Sequence, residues 1–198
     1  MRIRVSSWNI MSTSFAKEFN PPNSEIENLI NDSEYRFSQI VDYIKHKAII
    51  EQVDVICLQE VDVTDEEGWR QISETLELLK QYGFGNRLNF QHGPEEKSGL
   101  LMIYREKNFE EVATSFGRYS GRFMGIIYNG NLIVNVHMPT MPLPEFSELM
   151  GEIMNPWKWG ITAKWRSSVA DRMIIVGDFN KSPEELSQIA FYPFYLFF

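Results

Sequence analysis

The sequence predicts an α/β fold, and three observations predict it. Two short, largely β-branched runs, Val53–Leu58 and Met173–Val176, have the near-continuous apolar character of central strands covered on both faces. Two longer stretches, near residues 33–51 and 64–83, repeat apolar residues at helical spacing. Between residues 87 and 137 several short strand-like runs follow one another, with Asn129-Gly130 as a tight-turn signal. A chain of 198 residues that is 43% hydrophobic and 23% charged has the make-up of one globular domain, taken as residues 1–190 with 191–198 as an aromatic tail or truncated end.

Arg2 to Trp8 alternates polar and apolar residues and reads as a half-buried strand that ends in Asn9. Residues 12–33 are rich in Asn, Ser, Thr and Pro and read as a loop. Phe37, Ile40, Val41, Ile44 and Ala48 then form one helical stripe, with Asp32 or Ser33 as N-cap. The Val53–Leu58 strand delivers Gln59 and Glu60 at its end. Thr64 and Glu67 have capping-box spacing, Trp69, Ile72, Leu76 and Leu79 form a buried face, and Gly83 offers a stop.

Strands are expected around 87–91, 100–104, 110–116, 123–128 and 132–137, as hairpin-linked antiparallel sheet. Phe146, Leu149, Met150 and Ile153 suggest a helix entered through Pro144, and Trp157, Ile161, Trp165 and Val169 another after Pro156. Met173–Val176 leads into Gly177-Asp178-Phe179-Asn180. Ser182-Pro183-Glu184-Glu185 then carries the cap, N1 proline and N3 glutamate of a further helix.

Charge and cysteine usage narrow the function. With 27 acidic against 19 basic residues the net charge is -8, which argues against a broad electrostatic grip on nucleic acid, since each phosphate contact needs a Lys or Arg. A phosphorylated substrate drawn in locally by a metal stays open. The lone Cys57 excludes a disulfide framework and a cysteine-based zinc cluster, and is expected to be a buried small hydrophobe. No run approaches the ~18 apolar residues of a membrane span or the length of a signal peptide, so a cytoplasmic or otherwise intracellular setting is expected.

Four apolar strands run out into polar tips: Asn9, Glu60, His137, and the pair Asp178 and Asn180. Ligands of α/β proteins gather at the carboxyl ends of strands, where distant residues converge. These groups would supply hard oxygen donors, two amides and one imidazole, a set that suits Mg²⁺ or Mn²⁺ better than Zn²⁺. Glu60 can hold a divalent cation, Asp178 can orient and deprotonate water, Asn180 can hold an oxygen without repelling phosphate, and His137 can donate to developing charge. Each has a bland account when taken singly: a solvated strand-edge Glu, a satisfied His, turn chemistry after Gly.

The ordered strings Ser7-Trp8-Asn9-Ile10, Asp54-Val55-Ile56-Cys57-Leu58-Gln59-Glu60-Val61, Asn135-Val136-His137 and Val176-Gly177-Asp178-Phe179-Asn180 resemble the endonuclease/exonuclease/phosphatase superfamily, with its deoxyribonuclease-I-like fold. Lys97 to Tyr104 is similar to that family's glycine-led strand after the second helix. The resemblance implies a four-layer α/β/β/α sandwich of two mixed sheets with outer helices, cleaving phosphate esters with Mg²⁺ or Mn²⁺. It implies Glu60 as the metal-binding glutamate with Asn9 beside the metal, His137 at the phosphate, and Asp178 and Asn180 at the attacking water and phosphate. Trp8 and Phe179 read as core packing.

The family continues with an Asp in an I-D-Y-like string and a terminal S-D-H, whereas residues 181–198 contain neither Asp nor His. The expectation is therefore a chain lacking its final strands, with an open sheet edge next to FYPFYLFF. That segment would cover the edge itself, be the stump of a longer chain, or dock a completing polypeptide or a second copy. His46, His92, Arg118 and Arg122 are the residues available to replace a missing phosphate contact, with solvated surface positions as the plainer account. Loops at 11–33 and 138–160 would frame the cleft, where Trp157 and Trp159 either stack on a base or pack on a helix. The function expected is a metal-dependent phosphoester hydrolase of phosphodiesterase or nuclease type acting on a phosphoester, including nucleic acid. The alternative is a catalytically incomplete relative that binds phosphate or a partner.

Overall fold

The structure, a computed structural model, describes residues 2–11, 32–90, 98–113, 116–164, 172–187 and 195–197. The chain forms two compact units, Met1–Lys107 and Asn108–Phe198.

The first unit holds a four-stranded mixed sheet. Its strands are β1 (Val5–Asn9), β2 (Val55–Asp62), β3 (Phe84–Phe90) and β4 (Ser98–Arg105), in the order β1-β2-β4-β3. β1 and β2 are parallel, while β4 runs antiparallel to both β2 and β3. Between β1 and β2 comes α1 (Ser33–Lys45), which continues as a π-helical turn, His46–Ile50. Asp32 caps it by accepting from the Tyr35 N–H at 3.0 Å. α2 (Glu66–Lys80) follows β2.

The two helices lay their apolar stripes on one face of this sheet. Phe37, Ile40 and Ile44 of α1 and Ile72, Leu76 and Leu79 of α2 pack with Ile56 and Leu58 of β2 and Leu101 and Ile103 of β4. β2 is buried along its whole length, as its unbroken apolar character predicts. Trp8, half-buried, packs against this core and lies 4.7 Å from the Tyr43 ring, centroid to centroid.

The second unit holds a five-stranded mixed sheet. It comprises β5 (Phe109–Ala113), β6 (Phe123–Tyr128), β7 (Asn131–His137), β8 (Met173–Asp178) and β9 (Tyr195–Phe197), in that order. β5, β6 and β7 are antiparallel; β7, β8 and β9 are parallel. Asn129 and Gly130, with φ +51° and +72°, make the two-residue turn between β6 and β7 that Asn-Gly predicts. Phe146, Leu149, Met150 and Ile153 of α3 (Leu143–Ile153) join Phe123, Val134, Val136 and Ile175 in one core. A short helix, α4 (Pro183–Ser187), begins with a reciprocal capping box: Ser182 Oγ accepts from Glu185 N–H at 3.2 Å, and Glu185 returns a carboxylate oxygen to Ser182 N–H at 2.9 Å.

The α/β class with two mixed sheets is as the sequence predicts, and three local readings are corrected. The run expected as one antiparallel sheet divides between two sheets after β4, because local periodicity carries no information on which strand is the partner. The N-cap of α2 is Asp65, accepting from Gly68 N–H at 2.9 Å, while Thr64 donates its hydroxyl to Asp62 at 2.7 Å. After Pro156 comes a 3₁₀ turn, Pro156–Lys158, and helical backbone begins only at residue 163, later than the apolar spacing predicts. Beyond β8 the sheet continues with β9, with Ile174 opposite Tyr195, so residues of the aromatic tail cover that edge, one of the three alternatives the sequence left open. Most of the 12–33 loop, His92, Lys97, Trp165, Val169 and residues 191–194 lie outside the described residues.

Candidate functional site

In the first unit the parallel pairing of β1 and β2 sets their carboxyl ends side by side, so the polar tips of both arrive together. Asn9 is in register with Gln59, and its Nδ2 donates to Glu60 Oε1 at 2.8 Å. Its Oδ1 accepts from the Met11 N–H at 2.9 Å, which fixes which way the amide faces. Glu60 is 8% exposed, an unusual setting for a carboxylate, and the Asn9 amide is one of its partners.

A backbone irregularity aims that carboxylate. Between the pairs Leu58↔Leu101 and Val61↔Gly99, β2 carries one residue more than β4, and Glu60 sits in this bulge with φ +58°. Bulges re-aim side chains next to active sites. A non-glycine residue in the left-handed region costs on the order of 1–3 kcal/mol, which the surrounding ladder must offset.

In the second unit β7 and β8 repeat the arrangement. His137 and Asp178 are register partners at the ends of the two strands, and a ring nitrogen of His137 lies within 4.8 Å of an Asp178 carboxylate oxygen. The backbone N–H of Asn180 donates to Asp178 Oδ1 at 2.8 Å, an Asx turn that holds the carboxylate. Asn180 Nδ2 donates to the Met138 carbonyl at 2.6 Å, tying the turn to the end of β7. Asn180 also has a positive φ, +49°. Phe179 between them is buried in the core, as expected.

Arg118 and Arg122, equivalent in sequence as candidate phosphate contacts, differ in the structure. Arg118 is exposed and lies over the Tyr119 ring, 4.6 Å from its centroid. Arg122 is half-buried, with Nη1 3.4 Å from His137 Nδ1. The signal was its place directly before β6, whose first residue, Phe123, pairs with Val136.

His46 is exposed and sits 3.2 Å from Glu51, the solvated role expected for it. Burial pushes the Cys57 thiol well above the ordinary cysteine range, so it is no nucleophile at neutral pH. The two tryptophans expected to share one role differ: Trp157 is exposed, whereas Trp159 is buried, donating Nε1–H to the Ile153 carbonyl at 2.8 Å. Glu60 and Asp178 bring hard carboxylate oxygens of the kind that bind divalent cations, and Asn9 and Asn180 add neutral amides that tolerate an anion.

Polar groups at the carboxyl ends of parallel strand pairs, in two mixed sheets carrying helices, are the layout of an α/β protein with a deoxyribonuclease-I-like fold. The chain belongs to the Endonuclease/Exonuclease/phosphatase family, whose model matches residues 6–188. Among solved structures it is similar to ANGEL2, a 2′,3′-cyclic phosphatase, with TM-score 0.56 and 19% identity, covering 91% of this chain and 53% of that one. It is similar to a humanized D. rerio TDP2, with TM-score 0.54 and 14% identity, covering 96% of this chain and 72% of that one. An AP endonuclease from Archaeoglobus fulgidus aligns with TM-score 0.52 and 12% identity, over 94% of this chain and 63% of the other. The chain thus spans about half the length of the ANGEL2 structure. No curated protein matches the sequence.

Proposed function

We propose that this chain is a divalent-metal-dependent phosphoester hydrolase of phosphodiesterase or nuclease type, with residues 1–190 as its catalytic domain. The observation that carries the reading is the buried Glu60 carboxylate, aimed by a bulge and held by the Asn9 amide at 2.8 Å. The donor chemistry fits Mg²⁺ or Mn²⁺: carboxylate and amide oxygens, with no thiolate among the residues assigned. Glu60 would hold the cation with Asn9 beside it.

When bound, such a cation polarises a phosphoryl oxygen and steadies the leaving oxygen. The protein supplies the rest. Asp178, kept in place by the Asn180 N–H, accepts the proton of an attacking water as its oxygen bonds to phosphorus and the bond to the leaving oxygen breaks. Asn180 holds the turn against β7 and offers its amide to a phosphate oxygen. His137 donates a hydrogen bond to the charge that develops on phosphate.

An intracellular setting is part of this reading, supported by the lone, buried Cys57. Among the described residues no helix is long and apolar enough to cross a membrane.

A second reading is a relative that binds phosphate or a partner without turnover, completed by another polypeptide or by self-association through residues 191–198. Hydrolysis of bis(p-nitrophenyl) phosphate separates the two. The hydrolase requires Mg²⁺, is silenced by chelation, and loses at least ~10²-fold in rate in Glu60→Gln and in Asp178→Asn. A folded chain with no turnover overturns the first reading in favour of the second.

A further inference from the structure

We infer that Arg122 is a positioning residue that fixes the ring tautomer of His137, holding the proton on Nε2, and that His137 acts as a hydrogen-bond donor and stands outside the cation's ligand set. Arg122 closes the 3₁₀ turn Ser120–Arg122, where its backbone N–H donates to the Tyr119 carbonyl at 2.8 Å. The next residue, Phe123, is paired antiparallel with Val136. Arg122 is therefore set opposite His137, one step further along the same ladder, and its guanidinium Nη1 comes 3.4 Å from His137 Nδ1.

The direction of that hydrogen bond follows from donor chemistry. A guanidinium carries five N–H donors and no acceptor. The ring nitrogen must therefore accept, and an accepting nitrogen carries no proton. An Nδ1–H tautomer would set two N–H groups against each other, and an imidazolium donates from both nitrogens. What remains is the neutral ring with its proton on Nε2.

This has a consequence for the site. Nδ1 spends its lone pair on Arg122, and Nε2 is protonated, so neither offers a lone pair to a metal. Nearness to the Asp178 carboxylate, within 4.8 Å, would otherwise make the ring a natural cation ligand. Its Nε2–H is instead a donor, suited to a phosphoryl or leaving oxygen. The role deepens the hydrolase reading and rests on it; the tautomer itself does not.

Long-range ¹H–¹⁵N correlation spectra of the full chain, labelled at its three histidines, read the tautomer directly. His137→Asn identifies the resonances by their loss. Wild type is expected to show a protonated Nε2 and a bare Nδ1 at His137. Arg122→Met is expected to lose that single-tautomer pattern, and Arg122→Lys, which keeps a donor-only cation, to retain it at least in part. A protonated Nδ1 in wild type overturns the inference. So does an unchanged Nε2–H pattern in a folded Arg122→Met chain. Should Arg122→Met fail to fold, the wild-type spectrum and Arg122→Lys decide between the same outcomes. No turnover is needed, so failure here leaves the hydrolase reading standing, and an inactive chain leaves the tautomer assignment standing.

Discussion

Asn9 does two things with one amide: its oxygen is held by the Met11 N–H, and its nitrogen is given to Glu60. A buried carboxylate that loses such a donor keeps its desolvation cost, about 1–3 kcal/mol. Asn9→Ala is therefore expected to destabilise the chain by that order in urea unfolding. Asn9→Asp puts a second carboxylate where the donor was, and like charges at such a distance cannot both ionise freely. In metal-free protein Asn9→Asp is expected to be the more damaging of the two. If Glu60 is a metal ligand, Mg²⁺ narrows the gap between Asn9→Asp and wild type, because a cation between two carboxylates turns repulsion into coordination. An equal gap with and without Mg²⁺ argues against a cation at Glu60.

At the scale of elements, the G-D-F-N string is legible as structure as well as chemistry. Gly177 lies in β8 with φ +136°, and a Cβ there would be driven into the Val136 carbonyl oxygen of the neighbouring strand. The glycine is what lets β8 approach β7 closely enough to set Asp178 beside His137. Gly177→Ala combines a forbidden backbone with a clash against a main chain that cannot step aside, and a loss above ~3 kcal/mol is expected in thermal or urea unfolding. A loss below ~1 kcal/mol would mean that the strands can part there at little cost. The sequence shows the strand tips because an apolar run that ends in polar residues needs no partner to be recognised. It does not show the bulge at Glu60, since a Gln-Glu pair carries none of the Gly or Asn signals of a left-handed residue. Nor does it show that β4 and β5 belong to different sheets, or that Trp159 rather than Trp157 is buried, because both depend on partners remote in sequence.

At the scale of the whole molecule, two separate cores and a set of surface ion pairs meet the same solvent, and pH tests the second. The hydrogen bond from Lys47 holds the Glu51 carboxyl below its ordinary value, Arg70 does the same for Glu67, and the Ser182 N–H for Glu185. A carboxylate depressed in the folded state contributes stability that is fully present above its unfolded value of about 4.3 and is lost as pH falls through the lower folded value. The melting temperature is expected to hold from neutral pH down to about 5, then fall through the carboxylate range. Added salt should shrink the fall, because these pairs are exposed. Metal binding tests the site on the same scale without any substrate. A cation that binds only the folded chain stabilises it by RT ln(1 + [L]/Kd), about 1.4 kcal/mol at ten times Kd. For a chain of this size each kcal/mol moves the melting temperature by roughly 2–4 °C. Wild type in excess Mg²⁺ is therefore expected to melt about 3–6 °C higher than after chelation. Glu60→Gln should lose that shift, while Arg122→Met should keep it, since Arg122 serves His137 and His137 gives no lone pair to the cation. A shift that survives Glu60→Gln places the cation elsewhere, and one that vanishes in a folded Arg122→Met chain returns His137 to the ligand set.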